Sequence, residues 1–132
     1  MRFQQFTGPL MAKGFEDTVL YIYNRLCSLN EVGGFPWVFG IRTASFHSFC
    51  SSRLKSWPNT MNCTSTHDTK RGEDVRARIN VLSEMPREWE RFIKKCSRIN
   101  SKLKIIYKDS YIPDSNDEYL FYQTLTGAYN PG

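Results

Sequence analysis

The chain has 132 residues, 40% hydrophobic and 23% charged, with a formal net charge of +5. That is the composition of a soluble globular chain of one domain or less, well short of the about 250 residues of a complete (β/α) barrel. No apolar run approaches the roughly 20 residues of a membrane span and no signal peptide is evident, which speaks against export and against a membrane partner.

Residues 1–14, with Gly8-Pro9 and Gly14, read as a loop-like entry. A helix is predicted over Glu16–Leu29, with Glu16 and Asp17 in a first turn whose positive dipole end favours acids. Leu20, Tyr23, Leu26 and Cys27 fall on one face of it, Val19, Ile22 and Leu29 widen that face, and Gly33-Gly34 and Pro36 stop it. A second helix fits Ala44–Trp57, with a stripe of Phe46, Phe49, Cys50, Leu54 and Trp57 ended by Pro58. Thr60–Thr66, rich in β-branched threonine, is the strand candidate. A third helix is expected over Glu73–Glu84 with Val75, Ile79 and Leu82 inward. A fourth, over Pro86–Asn100, has Trp89, Phe92, Ile93, Cys96 and Ile99 on its stripe. Residues 101–115 form a basic, Pro-containing connection. Asn116 is the predicted cap of a last helix, Asp117–Tyr129. The expected fold class is mainly α, an irregular bundle of about five helices with one short strand.

The four cysteines, Cys27, Cys50, Cys63 and Cys96, have no C-x-x-C spacing and no nearby histidine, which argues against zinc. Free thiols of this kind fit a reducing, cytoplasmic compartment. The basic residues alternate with acids, and the densest group (Lys94, Lys95, Arg98, Lys102, Lys104) lies on one helix and its tail. A solvated face is favoured over a nucleic-acid stripe. Asp68, Glu73 and Asp74 lack the spacing of a calcium loop, so no metal and no cofactor are expected.

The chemistry-bearing stretch is Thr64–Arg71, T-S-T-H-D-T-K-R. A His-Asp pair at a strand end is how (β/α) barrels present groups to bound sugar, but glycosidic chemistry needs two carboxylates. Four longer stretches surround it. They are R-F-Q-Q-F-T-G-P-L-M-A-K-G-F-E-D-T from Arg2, Y-N-R-L-C-S-L-N-E-V-G-G from Tyr23, T-S-T-H-D-T-K-R-G-E-D-V-R-A-R-I-N-V-L-S-E from Thr64 and N-D-E-Y-L-F-Y-Q-T-L-T-G from Asn116. Together they resemble maltooligosyltrehalose synthase, a glucan-rearranging member of the α-amylase superfamily of glycoside hydrolases, over nearly the whole chain.

The resemblance implies an internal piece of a longer (β/α)8-barrel enzyme. Residues 1–72 would be associated with the barrel and residues 73–132 would form a helical subdomain. It implies an isomerase of trehalose biosynthesis that turns the reducing-end α-1,4 bond of a maltooligosaccharide into an α,α-1,1 bond by intramolecular transglucosylation. Asp68 matches the third acid, which stabilises the sugar cation, and His67 matches its sugar-binding neighbour. The nucleophile and acid/base would lie upstream, leaving the piece inactive alone. Lys13 is the candidate anchor for the leaving glucose, because Gly14 lets backbone approach closely and an ammonium carries three donors. Lys70 and Arg71 are expected to favour ionised Asp68. Glu16 and Asp17 read either as helix-start charges or as sugar contacts, and loop residue Trp37 is the stacking candidate. Partners are then the maltooligosaccharide and the remaining barrel, with self-association through exposed apolar surface. The chain departs from the usual family residues at Ile22 (Arg), Phe35 (Asp) and Gly72 (Ser). The alternatives from the residues are a non-catalytic helical module binding glycan or protein, and a basic nucleic-acid binder.

Overall fold

A computed structural model describes residues 2–129. Helix α1 is one helical run over residues 2–22, α-helical over Arg2–Pro9, π-helical over Leu10–Val19 and α-helical again over Leu20–Ile22. The loop-like entry is thus corrected to helix, Gly8 and Pro9 included. Pro9 has no N–H to give, and the wider π-turns begin directly after it. The run ends early, at Ile22, because the buried Asn30 amide donates to the Leu20 and Tyr23 carbonyls, both at 2.7 Å. The expected helix over Glu16–Leu29 therefore breaks, leaving only a 3-10 turn at Cys27–Leu29.

Helix α2 spans Thr43–Ser56, α3 Glu73–Val81 with a 3-10 extension over Leu82–Glu84, α4 Pro86–Asn100 and α5 Ser115–Ala128. The fold is mainly helical, as expected. Its strands lie elsewhere. The Thr60–Thr66 stretch has no strand partner among the described residues and runs as irregular backbone, while Ile105–Tyr107 (β1) and Ser110–Ile112 (β2) form an antiparallel hairpin in the supposed connection. Its two-residue loop holds Lys108 and Asp109 at φ 47° and 62°, the geometry of a type I′ turn. The cap of α5 is Asp114, accepting from the Asn116 and Asp117 amides at 2.8 Å each, and Asn116 instead donates its side-chain amide to the Ile22 carbonyl.

The core is small. Cys27, Ile79 and Leu82 are buried, with Leu26, Val75, Trp89 and Leu120 packed around them. Helix α5 approaches α3 most closely at Gly127, where an added Cβ would sit 2.8–2.9 Å from Val75 and Ile79 side-chain carbons. Gln123, fully buried on α5, accepts from the Cys27 amide at 2.8 Å and donates to the Asn24 carbonyl at 2.7 Å. At the far end of α5, Glu118 pairs with Lys104 at 2.7 Å and takes hydrogen bonds from Ser97 and Tyr122. Burial opposes ionisation there, but these donors outweigh it and lower the carboxyl below its ordinary range.

The α2 stripe expected to face a core does not. Phe46, Phe49, Cys50, Leu54 and Trp57 are all exposed, Trp57 by 73%. The chain presents 10685 Å² to solvent. A compact monomer of this mass presents about 7,200 Å². The excess reflects apolar faces, those of α1, α2 and the hairpin among them, that have no neighbour among the described residues.

Candidate functional site

His67 and Asp68 are the two central residues of a four-residue turn. The Thr69 amide donates to the Thr66 carbonyl at 3.4 Å, and the Thr66 amide donates to the Thr69 hydroxyl at 2.7 Å. The T-H-D-T pattern closes on itself, so both central side chains project from a turn rather than from a strand end. The side chain of Asp68 is 50% exposed. His67 is exposed, with no hydrogen bond among the described residues.

Lys70 lies two residues further and faces inward, its side chain only 4% exposed. Its ammonium sits 2.7 Å from Asp17 Oδ1 and 3.8 Å from Asp68 Oδ2, over the Tyr21 ring at 5.6 Å. A cation this enclosed needs an anion, and Asp17 is that anion. Lys13, one turn earlier on α1, reaches the other Asp17 oxygen at 2.6 Å. The hydrogen bond from Lys13, then that from Lys70, hold the Asp17 carboxyl at about 2, below the ordinary 3.8. The hydrogen bond to Asp17 is in turn the main reason that Lys70 and Lys13 are pushed above 10.5.

Four predicted site residues thus meet: Lys13, Asp17, Lys70 and Asp68. The others stand apart. Arg71 turns away and donates to the Cys27 carbonyl at 3.3 Å, so it steadies the core loop. Glu16 accepts from the Gly33 amide at 3.3 Å. Neither acid begins a helix, since both lie mid-way along α1. Trp37 packs edge-on against Phe15 with ring centroids 6.0 Å apart and tilted against Phe35 at 5.4 Å, and 53% of it stays open. A Cβ at Gly14 would make only ordinary contact with Leu10 at 3.4 Å, so that glycine does not serve a close backbone approach. Gly72 precedes α3 with open space around it and no side chain to cap the helix, as its departure from Ser suggests.

Sequence reasoning missed Glu31, which accepts from the Lys70 amide at 3.1 Å, and Arg76, which pairs with Glu31 at 3.7 Å and donates to the Thr64 carbonyl. Glu31 lies in the quoted N-E-V-G-G stretch, but nothing local tells an acid that it will meet an amide 39 residues away.

No protein-family model matches the chain. A Mycobacterium tuberculosis protein named as a maltooligosyl trehalose synthase is 54% identical over 93 residues, 70% of this chain and 12% of that protein. Among solved structures, a glycosyltrehalose synthase designated DSM5389 is 50% identical, with a TM-score of 0.82, over 98% of this chain and 16% of the other. The maltooligosyltrehalose synthase of Arthrobacter ramosus is 42% identical with a TM-score of 0.83, over 99% and 16%. The chain is related to one segment of the maltooligosyltrehalose synthases. It spans 12–16% of the length of these relatives. The match to the solved synthases covers 98–99% of this chain.

Proposed function

We propose that the chain supplies the sugar-facing acid and part of the leaving-glucose pocket of a maltooligosyltrehalose synthase, a (1→4)-α-D-glucan 1-α-D-glucosylmutase. The observation that carries this is the open Asp68 carboxylate beside an enclosed lysine, on a turn within a segment similar to these enzymes along nearly its whole length.

The reaction needs a nucleophilic carboxylate and a protonated carboxyl about 5–5.5 Å apart. Neither is assigned to a residue of this chain; both come from the remaining barrel. The nucleophile attacks C1 of the sugar before the reducing-end glucose while the acid protonates the departing O4, and the C1–O4 bond breaks. Positive charge builds on the ring, and Asp68 stabilises it. The freed glucose stays bound, turns, and offers its anomeric hydroxyl to the glycosyl-enzyme. The acid/base takes that proton as the α,α-1,1 bond forms and the nucleophile leaves. Rearrangement outruns hydrolysis only when the glucose is held and water is excluded. Lys13, fixed by Asp17, supplies donors at that position, while the enclosed Lys70 places its positive charge 3.8 Å from Asp68. His67 adds a hydrogen bond to the sugar, and Trp37 offers a face for stacking.

The test is Asp68→Asn in the intact enzyme, with trehalose-ended product measured from a maltooligosaccharide. Turnover falls by orders of magnitude while thermal stability is retained, because the side chain is half exposed. A near-parental rate would remove Asp68 from the mechanism. The 132-residue chain alone forms no such product; its appearance would overturn the division of labour.

A further inference from the structure

We infer that Glu31, working with Arg76, is a positioning residue that fixes the Thr66–Thr69 turn and so aims Asp68. This rests on the proposed role of Asp68 and adds to it residues outside the His-Asp motif.

The turn is held at both ends and open in the middle. On its N-terminal side, the Arg76 guanidinium donates to the Thr64 carbonyl, and the Ser65 hydroxyl donates to Glu73. On its C-terminal side, the Glu31 carboxylate accepts the Lys70 amide at 3.1 and 3.3 Å. Arg76 and Glu31 are themselves paired at 3.7 Å, both side chains less than a quarter exposed, so the two anchors form one unit. Glu31 also accepts the Val32 amide at 2.9 Å, and its own carbonyl takes the Gly34 amide at 2.8 Å. Two local contacts thus position it independently of Lys70. There is no room for a side chain at Gly34, where a Cβ would lie 2.9 Å from the Glu31 carbonyl oxygen.

Lys70 shows why this is more than a surface ion pair. Its ammonium goes to Asp17 and its amide goes to Glu31, so two different acids grip the same residue at opposite ends. Only Thr69 stands between that doubly held residue and Asp68. A main-chain anchor so close leaves the carboxylate little freedom to translate. A misplacement near 1 Å at a reacting centre can cost about a hundredfold in rate. Asp17 does not do this work, because it contacts the Lys70 ammonium and not the main chain next to Asp68.

The experiment uses the intact enzyme, with Glu31→Ala, Glu31→Gln, Asp68→Asn and the Glu31→Ala/Asp68→Asn double variant. Glu31→Ala lowers kcat by about tenfold to a hundredfold with a much smaller change in KM, as expected for lost orientation. Glu31→Gln recovers part of that loss, because its amide oxygen still accepts the Lys70 N–H while the charge facing Arg76 is gone. In the Asp68→Asn background the alanine costs about twofold or less, the non-additivity of residues acting through one another. Hydrogen exchange at the Lys70 amide quickens in Glu31→Ala and not in Glu31→Gln, while amides of α5 keep their protection. A parental kcat in Glu31→Ala, or an equal loss with and without Asp68, overturns the inference. If Asp68→Asn itself turns over normally, the functional reading has failed instead; if Asp68→Asn is crippled and Glu31→Ala is not, only the positioning role is lost.

Discussion

Replacing Gln123 by leucine tests how much of the fold depends on one amide. Its oxygen and nitrogen satisfy the Cys27 N–H and the Asn24 carbonyl at 2.8 and 2.7 Å, and the side chain has no exposed surface. Leucine fills a similar volume but leaves two backbone groups without partners inside the protein. Each orphaned group costs about 1–3 kcal/mol. Burying the new methyl groups returns about 1 kcal/mol, so the net loss is about 1–5 kcal/mol. Urea unfolding followed by far-UV circular dichroism reads this directly. With a slope of about 1.5 kcal/mol per molar for a chain of this size, the midpoint drops by about 0.7–3.3 M, or the variant is unfolded without denaturant. A midpoint within about 0.3 M of the parent would refute the reasoning, since the two hydrogen bonds would then carry no net weight.

The close approach of α3 and α5 makes Gly127→Ala destabilising by about 1–3 kcal/mol, since its Cβ would overlap Val75 and Ile79; an unchanged melting temperature would show that the helices can part freely. Acidification should release the Lys13–Asp17–Lys70 cluster. Asp17 titrates at about 2 in the folded chain against 3.8 unpaired, so its contribution is complete above about pH 4 and is lost as pH falls toward 2. Asp17→Asn should remove that acid-side loss, measured as the pH dependence of the urea midpoint; an identical profile in both proteins would disprove the link. The uncovered α2 face should drive self-association, seen by light scattering and suppressed by Phe49→Ser with Trp57→Ser. A clean monomer that binds no hydrophobic dye would contradict this.

Helices α3, α4 and most of α5 were legible because each carries its own apolar period and its own start signal. Pro86 at the first turn of α4 and the acids opening α3 and α5 are local facts. Helix α1 was misread where local rules and tertiary context part. Gly8, Pro9 and Gly14 argue for a loop, yet they sit in continuous helix, and the true stop is a distant Asn30 rather than a nearby glycine. The threonine-rich stretch before His67 has β-propensity but no partner to realise it, whereas Lys108-Asp109, an untypical I′ pair, hid a real hairpin. At the site, the His-Asp pair and the two lysines could be picked out from residue type and resemblance. The Lys13–Asp17 pair has the i,i+4 spacing of a helix, hidden once α1 was misread; that Asp17 also reaches Lys70 follows from α1 folding past the turn, which no spacing encodes. The α2 stripe was correctly seen as apolar, and its lack of a partner is a property of the surroundings.

The contacts of Gln123 span 96 and 99 residues of sequence. At about 5–20 residues per second on the ribosome, the loop around Asn24 waits roughly 5–20 s for its partner amide to be made. Until α5 emerges, the early part of the chain has no way to close its inner layer. Vectorial synthesis therefore completes the anchors of the Asp68 turn, all drawn from residues up to Arg76, before the layer behind them can close.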